Sequence, residues 1–314
     1  MKDGHAVVER PPHEVAAHRE SKPCWIDIQD PKSEELDRVA EELHLHPLAV
    51  EDAKHGHQRP KIDQYDDHYF IVFYAIEAPS PDAVRFHELS IFVAPNAIVT
   101  VHEGDCRARK DVEKRFREGK HHTTGRMLHD LLDTMVDDYF AIVDDFGDNV
   151  EMVEQLMLSD TTETRQTHGP LRELFVLKRD LLRLRQRIAP ERDVLNVLVR
   201  GDVRELHEPG LDVYFQDVYD HILRVTDEID TFRDLTSNVI DAYLAAASNR
   251  LNEVMKVLTS LATVLLVLTV VTGFFGQNWE AIPYDSRTLF WVATAATLIA
   301  GVGVAVYFRR RGWL

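Results

Sequence analysis

The sequence predicts an α+β membrane protein with an N-terminal α/β sandwich domain, a long helical stalk and two C-terminal transmembrane helices. Three observations predict it. Two charge-free apolar segments of 23 and 21 residues, Val257 to Trp279 and Thr288 to Phe308, close the chain. At about 1.5 Å per helical residue, each is long enough for a hydrocarbon core of about 30 Å. Between Cys24 and about Arg109, short runs of β-formers interleave with short helical patterns, which is the texture of an α/β layer domain. Finally, Leu211 to Thr272 contains 62 residues without a glycine or proline, enough for one helix roughly 93 Å long. The boundaries that follow are 1–125 for the α/β domain, 126–250 for a helical hairpin and stalk, and 251–314 for the transmembrane pair with an outward loop at 276–287.

Within the first domain, Cys24 to Ile28, Tyr69 to Ile76, Leu89 to Val93 and Ala97 to His102 read as strands. Asp30-Pro31-Lys32-Ser33 introduces an amphipathic helix with Leu36, Val39, Ala40 and Leu43 on its apolar face and Glu34 and Glu35 in its first turn. From Arg126 the strand signals vanish. Arg126 to about Leu158 is one helix interrupted by little except Gly147. Pro170 opens a second, antiparallel helix that Pro190 is expected to bend, and Gly201 to Gly210 is a turn region.

Charge is divided unevenly along the chain. The net charge is -17, and from Leu251 onward three acids face five bases, so residues 1 to 250 carry -19. An acidic body of that size repels nucleic acid and attracts cations, which excludes a polyanionic partner and makes metal ions the natural counter-charge. Arg250 and Lys256 precede the first span and Arg309 to Arg311 follow the second, whereas the loop between holds two acids and one base. The positive-inside rule then puts both termini in the cytoplasm and the loop outside, in a multi-pass protein of the cell (inner) membrane. Met1 to Ser21 has no apolar run suited to a signal peptide. Cys24 and Cys106 are too few and too isolated for a disulfide framework or thiolate metal site, and are expected to pack as small apolar residues.

One stripe along the long helix stands out. Asp241, Ala245, Ser248, Asn252, Met255, Thr259, Ala262, Leu266, Thr269 and Gly273 recur at alternating spacings of three and four, a single helical face that is small or weakly polar. Two readings remain open: a helix-packing seam, for which such residues are common in membranes, and a pore lining. In a pore, several copies around an axis would present Asn252 and Thr269 as rings of oxygen, Met255, Leu258 and Leu266 as apolar constrictions, and Asp241 as charge at the inner mouth.

Tyr214-Phe215-Gln216-Asp217-Val218-Tyr219-Asp220-His221, Asn249 to Thr259 (NRLNEVMKVLT), the Gly-x-Asn loop at Gly276 to Asn278, and the final Arg-Gly-Trp-Leu resemble the CorA-type magnesium transporter family. The resemblance covers about Trp25 to Leu314. It implies a funnel-shaped homopentameric channel for divalent cations, with Mg²⁺ both transported and regulatory, Co²⁺ or Ni²⁺ as further substrates, no enzymatic step and no organic cofactor. The family's Gly-Met-Asn selectivity motif falls on Gly276, Gln277 and Asn278, with glutamine in place of methionine. The neutral amide of Asn278 suits an ion that sheds its waters reluctantly, and Glu280 would raise the local cation concentration. The family's regulatory metal site between subunits maps onto Asp52 and Asp217, with Glu51 nearby.

Other signals point elsewhere. His44-x-His46, His55-x-His57 and His121-His122 lack a third ligand at zinc-site spacing and read as solvated loop histidines. Asp133, Asp137, Asp138, Asp144, Asp145 and Asp148 read as a solvated helix face that could hold screening cations. The histidines and Gln277 leave a zinc transporter as the alternative within the family. A membrane-anchored metal sensor that conducts nothing is the alternative outside it.

Overall fold

The computed structural model describes residues 23–78, 84–104, 107–119, 123–158, 169–203, 206, 208–277 and 286–313. The chain is organised as two compact units, Met1–Asn238 and Val239–Leu314.

In the first unit a five-stranded mixed sheet has the order β1-β5-β4-β3-β2, built from β1 (Cys24–Ile28), β2 (Lys61–Gln64), β3 (Tyr69–Glu77), β4 (Arg85–Ala94) and β5 (Ala97–His102). Only the β1–β5 pair is parallel; the others are antiparallel. Strand β3 is buried over Tyr69 to Ile76, on both of its faces, which is why it reads as an unbroken apolar run rather than an alternation. One face carries Ile26, Phe70, Val72, Phe92 and Val99 against α1 (Glu34–Leu43) and α2 (Pro47–His55), whose Leu36, Val39, Leu43 and Ala49 complete that core. Helix α1 starts where expected. The Lys32 N–H donates to Asp30 Oδ1 at 2.9 Å, and three acids, Glu34, Glu35 and Asp37, meet the positive end of its dipole.

The other face meets α3 (Arg107–Arg117), α4 (Thr124–Leu158) and α6 (Glu191–Val199). Here Trp25 packs edge-on to Phe116 at 5.9 Å and its Nε1–H donates to Thr100 Oγ1 at 2.8 Å. Helices α2 and α3 and strand β2 are additions to the sequence-based outline, and β4 starts at Arg85 rather than Leu89. Four-residue β2 is too short and too mixed to show an alternation, and α3 is so basic that its apolar residues, Val112 and Phe116, are sparse.

Two helical details differ from expectation. Pro190 does not bend a helix but separates two, because α5 (Gly169–Ile188) ends before it and α6 begins just after it. Gly147 interrupts nothing: α4 runs straight through it, and a Cβ there would lie 2.5 Å from Phe232 Cζ, so the glycine admits a ring. Cys24 is buried and its thiol is pushed up to about 11, chiefly by burial, as befits a packed apolar residue; Cys106 lies outside the described residues.

Beyond Val72 strand β3 has no β2 partner, and the open edge is closed by side chains. The Tyr74 N–H donates to Glu191 Oε1 at 2.9 Å, the Tyr139 hydroxyl bonds the Tyr74 carbonyl, and Tyr139 Oη lies 3.0 Å from Glu191 Oε2. Glu191 is completely buried, and burial pushes its carboxyl well above the usual carboxylate range.

The second unit takes the C-terminal part of α7 (Leu211–Phe275) and all of α8 (Arg287–Arg310). Both helices are long and apolar enough to cross a membrane, with mean hydropathies of 2.3 and 2.1 over their most apolar stretches.

Candidate cation pathway and sensor sites

Within the second unit, α7 turns one side to α8. Ser260 is buried, and Thr263, Val264, Val267, Leu268 and Val271 are half-buried. Gly301 is the buried residue of α8, and a Cβ added there would lie 2.8 Å from Leu268 Cδ2, so the helices approach through a missing side chain. The C-terminal end folds back onto the same side. Gly312 takes a positive φ of 71°, the Trp313 ring stacks on Phe308 at 5.5 Å, and the Trp313 carbonyl accepts from Ser260 Oγ at 3.4 Å.

The stripe lies elsewhere. Asp241, Asn252, Met255, Leu258, Thr259, Ala262, Leu266, Thr269 and Gly273 are all exposed, and a Cβ on Gly273 would meet open space. Packing against α8 therefore does not account for the stripe. The Thr269 hydroxyl proton is engaged by the Leu265 carbonyl at 2.8 Å, which leaves its oxygen as an acceptor. Helix α7 ends with Gly276 N–H on the Thr272 carbonyl at 3.0 Å and Gln277 N–H on that of Phe274 at 3.4 Å. Asn278 and Glu280 lie outside the described residues.

In the first unit, α2 carries Glu51 and Asp52. Its start is built by histidines: His46 Nδ1 accepts from Leu48 N–H at 3.3 Å, His46 N–H donates to His68 Nε2 at 3.4 Å, and Tyr65 stacks between the two rings at 4.4 and 5.1 Å. His46 is thus exposed, as expected of a solvated histidine, and in addition caps the helix, its imidazole nitrogen accepting from an otherwise orphan N–H. His121 and His122 lie outside the described residues. Burial, then the neighbouring His46, holds His68 below the usual histidine value.

Downstream on α2, Glu51 is exposed, as is Leu48. Asp52 is half-buried and engaged on both oxygens: Lys61 Nζ lies 2.6 Å from Oδ2, and Gln58 Nε2 donates to Oδ1 at 3.3 Å. The same ammonium is 2.6 Å from Asp63 Oδ2, and the two carboxylates outweigh partial burial to raise the Lys61 pKa.

Asp217 sits on α7 with its side chain largely exposed, 4.0 Å from His221 Nε2. His221 Nδ1 is 3.6 Å from Asp137 Oδ1, and Asp133, Asp137 and His221 each bring a ligand atom within 4.8 Å of the others. Burial, then crowding by Asp137, raises the Asp133 pKa, the condition a cation would relieve. Asp52 and Asp217, on separate helices, share no partner among the described residues. The Asp133–Asp137–His221 group escaped sequence reasoning, although the four-residue spacing of the two acids and the motif around His221 were its visible signals. Of the acids read as a solvated face, Asp144, Asp145 and Asp148 are exposed, but Asp133 and Asp138 are half-buried.

A mixed α/β body joined by one uninterrupted helix to an apolar helix pair defines a class: membrane proteins with a large N-terminal body and a two-span C-terminal end. The chain belongs to the CorA-like Mg²⁺ transporter family, whose model matches residues 20–310. The cobalt/magnesium transport protein CorA of Thermotoga maritima is 34% identical over 94% of this chain and 84% of its own length. The zinc transport protein ZntB of Cronobacter sakazakii is 25% identical over 99% and 94%. The fold matches that of the CorA magnesium transporter from Methanocaldococcus jannaschii with a TM-score of 0.80, at 23% identity and covering 92% and 91% of the two chains.

Proposed function

We propose that the chain is a subunit of a homopentameric channel that admits Mg²⁺, and also Co²⁺ or Ni²⁺, passively across the cell membrane. The carrying observation is the stripe on α7: small and weakly polar residues left exposed, with the opposite side of α7 packed on α8 from Ser260 to Val271. Family membership and the cobalt/magnesium relative support the choice of ion. Inward movement of a divalent cation gains about 4.6 kcal/mol per 100 mV, so no ATP site is required.

In this reading both termini are cytoplasmic, Asn278 captures the hydrated ion at the outer mouth beside Gly276 and Gln277, Glu280 concentrates cations there, and the stripe lines the path. Cytosolic Mg²⁺ bound at Asp52, Asp217 and Glu51 holds subunits together in the closed state, and its loss lets α7 move. Oxygen donors with room for retained waters fit Mg²⁺ chemistry. Zinc transport is the second reading, favoured by the imidazole of His221 beside Asp133 and Asp137, since nitrogen donors suit Zn²⁺ better than Mg²⁺.

Uptake by protein reconstituted in liposomes tests this, with Mg²⁺, Co²⁺ and Zn²⁺ compared and a pH gradient imposed. Mg²⁺ and Co²⁺ flux that needs no pH gradient and falls in Asn278→Ala is expected. Unchanged flux in that variant would remove the capture role of Asn278, no flux above protein-free liposomes would favour a membrane-anchored sensor, and flux confined to Zn²⁺ the second reading. Flux equally sensitive to internal Mg²⁺ in Asp52→Ala plus Asp217→Ala would remove the gating assignment.

A further inference from the structure

We infer that Lys61 is a built-in competitor for the cation at Asp52: a tethered ammonium that holds the carboxylate until a divalent ion takes it, and so sets the concentration at which it is taken. This rests on the reading of Asp52 as a regulatory ligand and deepens it.

Three features carry the inference. First, Asp52 is not an open ligand, since Lys61 occupies Oδ2 at 2.6 Å and Gln58 occupies Oδ1 at 3.3 Å. A cation that takes Oδ2 must displace the ammonium or share that oxygen, and one that takes Oδ1 still meets the repulsion of the adjacent ammonium charge. Second, Lys61 is held in place. It lies in β2 opposite Val72, with Nζ 5.5 Å from the centre of the Phe70 ring. Third, Lys61 has a second carboxylate to retreat to, Asp63, also at 2.6 Å. Losing Asp52 therefore leaves the ammonium paired rather than stranded, which keeps the exchange reversible. All three side chains are partly exposed, at 30, 31 and 40% for Lys61, Asp52 and Asp63, so water and ions reach them.

The geometry predicts opposite shifts from the two ends of the triad. Lys61→Met removes the competitor; a partly exposed pair is worth up to about 1 kcal/mol, so the Mg²⁺ concentration for half-effect falls about two- to fivefold. Asp63→Asn leaves the ammonium to Asp52 alone and raises it about twofold. Lys61→Arg keeps the charge and stays near the wild-type value. Lys54→Met serves as the control, because Lys54 lies on the same helix as Asp52 but pairs with Asp37 at 2.5 Å.

The experiment is the Mg²⁺-dependent rise in apparent Tm of the full-length protein in detergent, run beside Mg²⁺ inhibition of flux in liposomes. Shifts down in Lys61→Met and up in Asp63→Asn, absent in Lys54→Met and lost on adding Asp52→Asn, establish the assignment. If Lys61→Met is unchanged, or Lys54→Met shifts as far, the inference is overturned, while a weaker Mg²⁺ response in Asp52→Asn would still retain Asp52 as a ligand. A response unaltered by Asp52→Asn overturns both the Asp52 reading and the inference. If Lys61→Met does not fold, the Asp63→Asn direction and the Lys61→Arg match decide.

Discussion

Glu191 should behave as a neutral carboxylic acid, so replacing it with glutamine should become steadily more favourable relative to the wild type as pH rises. Tyr139 has a single hydroxyl proton and two oxygen neighbours, the Tyr74 carbonyl and Glu191 Oε2. A carbonyl cannot donate, so the Tyr139 proton goes to Tyr74. The 3.0 Å contact with Oε2 is then a hydrogen bond only if Glu191 supplies the proton. With Oε1 accepting from the Tyr74 N–H, a protonated Glu191 closes the ring with every group paired. Glutamine reproduces both hydrogen bonds, with its carbonyl toward Tyr74 and its amide toward Tyr139, and adds one further buried N–H whose cost is the same at every pH. Alanine instead orphans buried groups at about 1–3 kcal/mol each and opens a cavity, for a total of about 3–5 kcal/mol.

The pH dependence separates the two protonation states. Because the folded pKa lies above the unfolded value of 4.5, the folded state holds a proton that the unfolded chain releases. The associated stability is complete below that value and declines by about 1.4 kcal/mol per pH unit as pH rises toward the folded pKa. Thermal unfolding of the full-length protein in detergent, followed by tryptophan fluorescence from pH 5 to 8, should show Glu191→Gln gaining on the wild type as pH rises, by about 1.4 kcal/mol for each pH unit that lies below the folded pKa. Parallel pH profiles for the wild type and Glu191→Gln would refute the protonated ring.

Three further outcomes are expected. His68 contributes a slope of opposite sign to that of Glu191: its depressed pKa makes the unfolded chain take up that proton first below about 6.5, so His68→Gln should gain in Tm on the wild type as pH falls from 7 to 5. Gly301→Val should force α7 and α8 apart at Leu268 and destabilise the helix pair by about 1–3 kcal/mol, seen as a lower Tm in detergent with the far-UV helix signal retained at low temperature. Asn278→Asp should bind Mg²⁺ more firmly and release it more slowly, lowering the maximal uptake rate in liposomes.

Much of the architecture was legible because long-period signals survive averaging. The 62-residue stretch without a helix breaker became part of one helix of 65 residues, and the two charge-free segments became the span-length helices. Shorter elements were lost where local composition contradicts the element: β2 is mostly polar, and α3 is dominated by arginine and lysine. Proline and glycine misled in opposite ways. Pro190 ended a helix where a bend was expected, and Gly147 was retained for the space that Phe232 occupies.

The sequence by itself determined what depends on periodicity and net composition: the apolar hairpin, the acidic body, the uninterrupted helix and the stripe along it. These are one-dimensional properties, since a helical face follows from spacings of three and four alone. Only the tertiary structure decided which groups meet. It showed that from Ser260 to Val271 α8 packs on the side of α7 away from the stripe, that His221 joins Asp133 and Asp137 across 84 residues or more of chain, and that Asp52 reaches Lys61. Hydrogen bonds and ion pairs act over about 3 Å, and sequence separation carries no information about which side chains fold to within that distance.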